Sequence, residues 1–293
     1  MIVVTGPTGN TGRQVVEGLR QRNLAFRAMV RSEERAQQLT AEGIPTVLAD
    51  FTRPETLVRA LTGATTAFLV CTPDARLARC EQNFIRAAQQ AGVSYIVKCG
   101  AHSAAHDSKS PNLRMHAEVE DALRESGLRY TVIRPHGFMQ TFFWMSAPLI
   151  YGPGILSFPA GDGAIPLIDV RDVGAALLKA LLEPGLSGRA YDLTGPQALT
   201  PQQMAAELSR ALGRPIQYVE SRLEDLDATM RQLGVPDAPR EHVLWVFAEQ
   251  RAGRLNYTSR DHEALGLPLR SFAEFAADMV AGRTGVALSD FSH

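Results

Sequence analysis

Three glycines and an arginine carry the chemistry most directly legible in this chain. Gly6, Gly9 and Gly12 follow a short apolar run at residues 2–4. They precede residues 13–20, where Val15, Val16 and Leu19 recur at helical spacing. Strand, glycine turn and helix, in that order, is the context in which glycines hold a phosphate. Gly6 would allow the tight exit from the strand, Gly9 the approach of a pyrophosphate, and Gly12 close packing of helix on sheet. The first N–H groups of the helix and its positive end would face the anion. Thr8, Asn10 and Thr11 would add donors around it. The spacing Gly-x-x-Gly-x-x-Gly departs from the usual dinucleotide fingerprint, so the context carries the reading. A second apolar run, residues 24–30, ends at Arg31, where a dinucleotide enzyme that prefers NAD places an acid for the ribose 2′-hydroxyl. A guanidinium there suits a 2′-phosphate instead, so the expected cofactor is NADP (NADPH). Arg35 would add charge one turn later. The alternative is that Arg31 is a solvated strand end.

These residues need a scaffold, and the chain supplies one by alternation. Strands are expected at residues 44–49, 66–71, 93–98 and 130–134 besides the two above, with helices between them. Ser32 reads as an N-cap. Thr52 with Glu55, Thr200 with Gln203, Ser221 with Glu224 and Ser271 with Glu274 read as capping boxes. Six strands alternating with five helices predict an α/β fold, a Rossmann-type doubly wound parallel sheet. Ligands then sit beyond the carboxyl ends of the strands. That makes Asp50, Phe51, Cys71, Thr72, residues 99–103 (Gly100 and Ala101 among them), and 134–139 (Pro135 among them) site candidates. From Pro135 the pattern changes to an aromatic cluster, a Gly/Pro-rich stretch and scattered helices. The expected organisation is therefore a Rossmann domain over 1–135 with parts of 165–195, and a smaller, mainly helical C-terminal substrate lobe over 136–293.

Composition narrows the function further. The 293 residues are 45% hydrophobic and 21% charged, with a net charge of −1, which gives no field for nucleic acid or an anionic membrane. No apolar stretch approaches the length of a membrane span, and the first run is too short and glycine-rich for a signal peptide. Three cysteines without Cys-x-x-Cys spacing suggest a reducing, cytoplasmic setting and no metal. His102 and His106 stand at i, i+4 but lack a third ligand. Cys71 and Cys99 end strands, and redox sensing through them is disfavoured because buried thiols are inert.

Taken together, residues 4–12, Val30-Arg31, Ala49-Asp50-Phe51, 116–120, 126–135 with Phe138-Met139-Gln140, 169–173 and 191–195 resemble the NmrA-like group of atypical short-chain dehydrogenases/reductases. The resemblance spans nearly the whole chain. It implies an NAD(P)-binding Rossmann domain with a small substrate lobe, with Asp50 and Phe51 beside the adenine. It includes NADPH-dependent quinone and dye reductases, and also regulators that bind the dinucleotide without turnover.

Ordinary short-chain dehydrogenases carry Tyr-x-x-x-Lys on the helix after the fifth strand. Here that helix has no tyrosine, and Glu120 stands where the lysine would be. His116 is the nearest substitute acid, though a helix histidine facing a sheet edge is as often only hydrogen-bonded. Lys98 and Lys109 are weaker candidates. Hydride transfer to a quinone asks mainly for binding and orientation, because the acceptor is already electron-poor. Phe138, Phe142, Phe143 and Trp144 would line a pocket for a flat ring, or at least two of them would be core. The expected function is thus an NADPH-dependent oxidoreductase passing hydride to a quinone-like or other conjugated small molecule, acting as monomer or homodimer. The alternatives are an NADP(H)-sensing regulator and, less favoured without the tyrosine, an epimerase-like protein.

Overall fold

Seven strands form one sheet in the computed structural model, which describes residues 1–72 and 74–283. The elements run β1 (Ile2–Val4), α1 (Asn10–Gln21), β2 (Phe26–Val30), α2 (Glu33–Ala41), β3 (Thr46–Leu48), α3 (Pro54–Leu61), β4 (Thr66–Leu69), α4 (Leu77–Ala91), β5 (Tyr95–Cys99), α5 (Pro111–Glu125) and β6 (Arg129–Pro135). Then follow α6 (Met139–Tyr151), β7 (Ile155–Phe158), α7 (Val170–Leu182), β8 (Arg189–Leu193), α8 (Pro201–Leu212), β9 (Gln217–Glu220), α9 (Leu223–Gln232), α10 (Asp237–Arg251), α11 (Asp261–Ala264) and α12 (Phe272–Val280).

The sheet order is β3-β2-β1-β4-β5-β6-β8, with parallel pairing from β3 through to β6. At the β8 edge, Gly188 N–H donates to Tyr130 O and His136 N–H to Leu193 O, so both strands run the same way. This is the Rossmann-type α/β architecture. The strand order reverses between β1 and β4, the switch point where such sheets take ligands. Val3 and Val4 have no exposure, as a strand covered on both faces requires. Leu57 and Leu61 of α3, Phe84 of α4 and Val119 and Leu123 of α5 share one core cluster on one face. On the other face α1 and α7 approach closely, Gly18 lying against Leu178.

By internal contacts the chain divides into Met1–Arg134 with Val173–Asp192, and Pro135–Asp172 with Leu193–His293. The second unit has its own core around Phe142, Phe143, Phe158, Phe247 and Phe275, and a two-stranded parallel sheet of β7 and β9. Among the described residues no helix is long and apolar enough to cross a membrane.

Capping shows where local sequence decides and where it does not. Ser32 accepts the Arg35 N–H, and the Thr200/Gln203 and Ser271/Glu274 boxes both close. The boxes expected at Thr52 and Ser221 do not form. There the helices start later, with Arg53 and Arg222 as N-caps. Asp50 Oδ1 instead accepts both the Thr52 N–H at 2.8 Å and the Thr52 hydroxyl at 2.7 Å, which makes Thr52 part of an Asx turn.

Candidate functional site

The loop after β1 is fastened before it opens. Thr5 is fully buried, its Oγ1 donating to Val70 O at 2.9 Å and accepting the Val70 N–H at 2.8 Å. That ties the exit of β1 to the exit of β4 across the switch point. Gly6 turns with φ +55°, a left-handed value that disfavours a side chain. A Cβ on Gly12 would lie 1.9 Å from Gly6 O, so any side chain would drive α1 off the loop. Gly9 differs: it is exposed, it N-caps α1, and a Cβ there would meet nothing nearer than Gly6 O at 3.4 Å. The fold does not need glycine at position 9; a ligand lying against the loop would.

Arg13 N–H makes the first helical bond, to Gly9 O at 3.0 Å. The N–H groups of Asn10, Thr11 and Gly12 therefore precede the ladder, at the positive end of α1. Thr8 and Asn10 are exposed beside them. Thr11 is buried with its side chain beside the Cys99 thiol, so it offers a ligand its backbone N–H rather than its hydroxyl. Three successive N–H groups and a glycine cradle that a Cβ would fill suit the diphosphate of a dinucleotide.

Arg31 follows β2 directly, is exposed, and makes no hydrogen bond or ion pair among the described residues. Its charge acts on Asp50. The Thr52 N–H at 2.8 Å and the Thr52 hydroxyl hold the Asp50 carboxyl below the usual range, with Arg31 and Arg53 adding to them. Asp50 is thus a turn former facing a cation. Phe51 is half-buried with its ring 5.7 Å from Phe84, and its carbonyl accepts from Asn83 Nδ2 at 2.9 Å. Arg35 donates to Gln38 Oε1 at 2.8 Å within α2.

Beyond β4 and β5 the picture is mixed. The Cys71 N–H donates to Glu81 Oε1 at 3.1 Å. Burial, with the Glu81 charge beside it, pushes the Cys71 thiol up to about 12. Burial pushes Cys99 up to about 11. Thr72 is exposed. Gly100 is buried, its N–H spent on Ile133 O at 2.8 Å and its Cα against Val132 and Arg134, so it serves packing rather than ligand contact. Ala101 is half-buried and Pro135, the last residue of β6, is buried. Lys98 is removed as a proton donor: it is fully buried and ion-paired to Glu81. Burial pushes the Glu81 carboxyl up against the pull of that lysine. Lys109 is exposed.

The sequence reading missed a second charged group in the same unit. Glu120 of α5 receives the Arg134 guanidinium through two bonds, Nε to Oε1 at 2.9 Å and Nη2 to Oε2. Arg134 Nη1 also lies 3.9 Å from Asp192 of β8. The carboxylate at the position of the expected lysine therefore clamps an arginine at the strand ends. Beside it His102 Nδ1 meets Ser103 Oγ at 2.7 Å, and Ser103 takes φ +61°. Burial lowers the His102 pKa, with Asp192 opposing and Arg134 reinforcing the shift. Positions 102, 103 and 134 all fell within the strand-end candidates, but nothing local marked Glu120 or Asp192 as the partners of Arg134. His116 lies one turn before Glu120 and is buried within the packing of α5. His106 meets Asp121 Oδ2 at 2.6 Å. Among the described residues no group of three or more His, Cys, Asp and Glu is placed to hold a metal.

In the second unit the aromatic run does not act as one surface. Phe142 packs on Phe158 and Phe247, with centroids 5.6 and 5.3 Å away, and belongs to the core. Phe143 packs on Phe275. Trp144 is exposed. Residues 142 and 144 point to nearly opposite sides of α6, since each helical step turns about 100°. They cannot line one pocket, which leaves Phe138, half-exposed at the start of α6. On α10, His242 and Trp245 stack 6.0 Å apart, an aromatic pair the sequence reading passed over. Asp169 and Arg171 join separate stretches of this unit. Buried Asp169 accepts from Gln140 at 2.8 Å and pairs with Arg171, which also bonds Asp278 at 2.8 Å.

The sequence profile of the NmrA-like family matches residues 1–258. The chain is 36% identical to an NAD(P)H azoreductase of Xenophilus azovorans over 94% of its own length and 96% of the relative's. It is 34% identical to quinone oxidoreductase 2 of Escherichia coli strain K12, over 81% of this chain and 83% of that one. The structure superposes with a TM-score of 0.84 on an NADPH-dependent quinone oxidoreductase from Escherichia coli in complex with NADPH, at 30% identity. That match covers 95% of this chain and 99% of the other.

Proposed function

Because this chain belongs to the NmrA-like family, we propose that it is an NADPH-dependent oxidoreductase that passes hydride to a quinone-like or other conjugated small-molecule acceptor. The observation that carries the reading is the pairing of two features in one unit. One is a loop whose exposed Gly9 answers to no neighbour in the fold; the other is an exposed Arg31 without a protein partner among the described residues. The N–H groups of Asn10, Thr11 and Gly12 would hold the diphosphate, and Arg31 the 2′-phosphate. Bound NADPH would supply the hydride. The azoreductase and quinone oxidoreductase relatives support a conjugated acceptor. An acceptor of that kind needs no Tyr/Lys pair, which this chain lacks.

NADPH oxidation followed over a panel of quinones and azo compounds tests the activity. Turnover with at least one class is expected, whereas binding of NADPH with no oxidation above the blank would favour a regulatory protein. Arg31→Glu tests the cofactor assignment. Preference for NADPH over NADH should fall at least about tenfold, roughly 1.4 kcal/mol. An unchanged ratio would remove Arg31 from the site.

A further inference from the structure

Resting on that reading, we propose that Asn112 selects the acceptor. Its side-chain carbonyl takes a hydrogen bond from an O–H or N–H carried by the conjugated molecule, so acceptors bearing a hydroxyl or amino group are preferred over those without a donor.

The starting point is a buried amide with nothing to bond. Asn112 is the second residue of α5 and is only 7% exposed. Its Oδ1 is buried and accepts no hydrogen bond among the described residues, and its Nδ2 makes none there either. Such an amide has given up water without return, and an apolar side chain would pack in its place at no such cost. The chain around it is fastened. Arg114 Nη1 donates to Ser108 O at 2.7 Å and to Lys109 O at 3.1 Å, and Ser108 Oγ accepts the Ser110 N–H at 3.2 Å. The mount is fixed while the amide upon it is not. With no bond holding it, the amide turns about its last torsion, which is broad for asparagine, and brings the carbonyl to a ligand.

Topology gives the level at which it stands. Helix α5 crosses from β5 back to β6, so it begins beyond the carboxyl ends of the strands and runs antiparallel to them. Glu120 is level with the end of β5, since a Cβ on Gly100 would lie 3.4 Å from its Oε1. Asn112 precedes Glu120 by eight residues, about 12 Å along the helix. Asn112, His116 and Glu120 recur at i, i+4 and i+8 and are all buried, so Asn112 continues the side of α5 that meets the strand ends.

That level belongs to the acceptor. The phosphate loop follows β1 and Arg31 follows β2, so the other half of a dinucleotide extends over the exits of β4 and β5. A molecule taking hydride from it lies on the outer side, with reacting atoms about 3.5 Å apart. A side chain about 12 Å out along α5 therefore meets the acceptor rather than the cofactor. An unpaired oxygen there discriminates strongly, because a ligand lacking the donor leaves it unpaired.

Two matched pairs of acceptors give the test: 4-hydroxy- against 4-methoxyazobenzene, and 6-hydroxy- against 6-methoxy-1,4-naphthoquinone. In whichever pair is reduced, the hydroxy-to-methoxy ratio of kcat/KM should be at least about tenfold higher in wild type than in Asn112→Leu (roughly 1.4 kcal/mol). Intrinsic reactivities cancel in that comparison. Equilibrium binding of the same pair to protein saturated with NADP, followed by absorbance, should show the same difference without turnover. Asn112→Ala repeats both measurements should the leucine protein fail to fold. Free Asn112→Leu should melt no lower than wild type, because the amide bonds nothing in the fold. Ratios that both variants leave unchanged would overturn the proposal. So would a lowered melting temperature of Asn112→Leu with both members of each pair slowed equally, the mark of a structural amide. Wild type that binds NADPH yet reduces neither pair would instead overturn the oxidoreductase reading.

Discussion

Two glutamate–cation pairs in the first unit end differently. Lys98 and Glu81, between β5 and α4, are sealed with almost no exposure. Arg134 and Glu120, between β6 and α5, leave the guanidinium 25% exposed with Asp192 and His102 beside it. The sealed pair closes on itself and on the Cys71 N–H and Cys99 O, so every polar atom is spent on the fold. The rim pair spends only one edge of its arginine. A charge consumed by scaffold and a charge left within reach of a ligand are thus separated by burial: the lysine has no exposed side chain, and the arginine keeps a quarter of its own in solvent.

The sharpest way to break this contrast is Lys98→Met. It leaves Glu81 buried without its cation and should lower stability by about 3–5 kcal/mol in urea unfolding. Adding Glu81→Gln should return much of that, because an amide oxygen still accepts the Cys71 N–H. No recovery would mean that the lysine's packing, not its charge, is what the core needs.

A smaller effect separates the two glycines of the loop. Gly12→Ala should cost about 1–3 kcal/mol and weaken NADPH binding, since its Cβ meets Gly6 O. Gly9→Ala should leave stability within about 0.5 kcal/mol and weaken NADPH binding alone. Equal losses of stability would erase the distinction between fold-required and ligand-required positions.

The smallest effect is the reactivity of the thiols behind the rim. With Cys71 raised to about 12 and Cys99 to about 11, native protein at pH 8 should alkylate far more slowly at these positions than unfolded chain does. Both folded values lie above the ordinary thiol pKa. The stabilisation is therefore full below that ordinary value, and it drains away as pH climbs toward the folded ones. Rapid native alkylation at either cysteine would contradict the burial that sets the shift.

The loop was legible from sequence because everything it needs lies within residues 2–21: an apolar run, three glycines and an amphipathic helix. The Thr200 and Ser271 caps were legible for the same reason. Thr52 was not, because Asp50 draws its N–H and hydroxyl into a turn and the helix starts one residue later. The aromatic run misled because composition does not say which way a helix faces. Phe142 and Phe143 turn into the core while Trp144 turns out. The strand β7 hides in a stretch rich in glycine and proline, and its partner β9 lies far along the chain. The Glu120–Arg134 clamp depends on α5 and β6 meeting in space, so neither residue announced the other.

The order of strands also has a consequence for synthesis. Strand β8, which completes the sheet, is made only after α6, β7 and the whole of α7 have followed β6 out of the ribosome. Until then β6 presents an unpaired edge, the kind of surface that recruits stray strands. A nascent chain stalled within that interval should therefore be the most aggregation-prone form of the protein, and the form most in need of a chaperone.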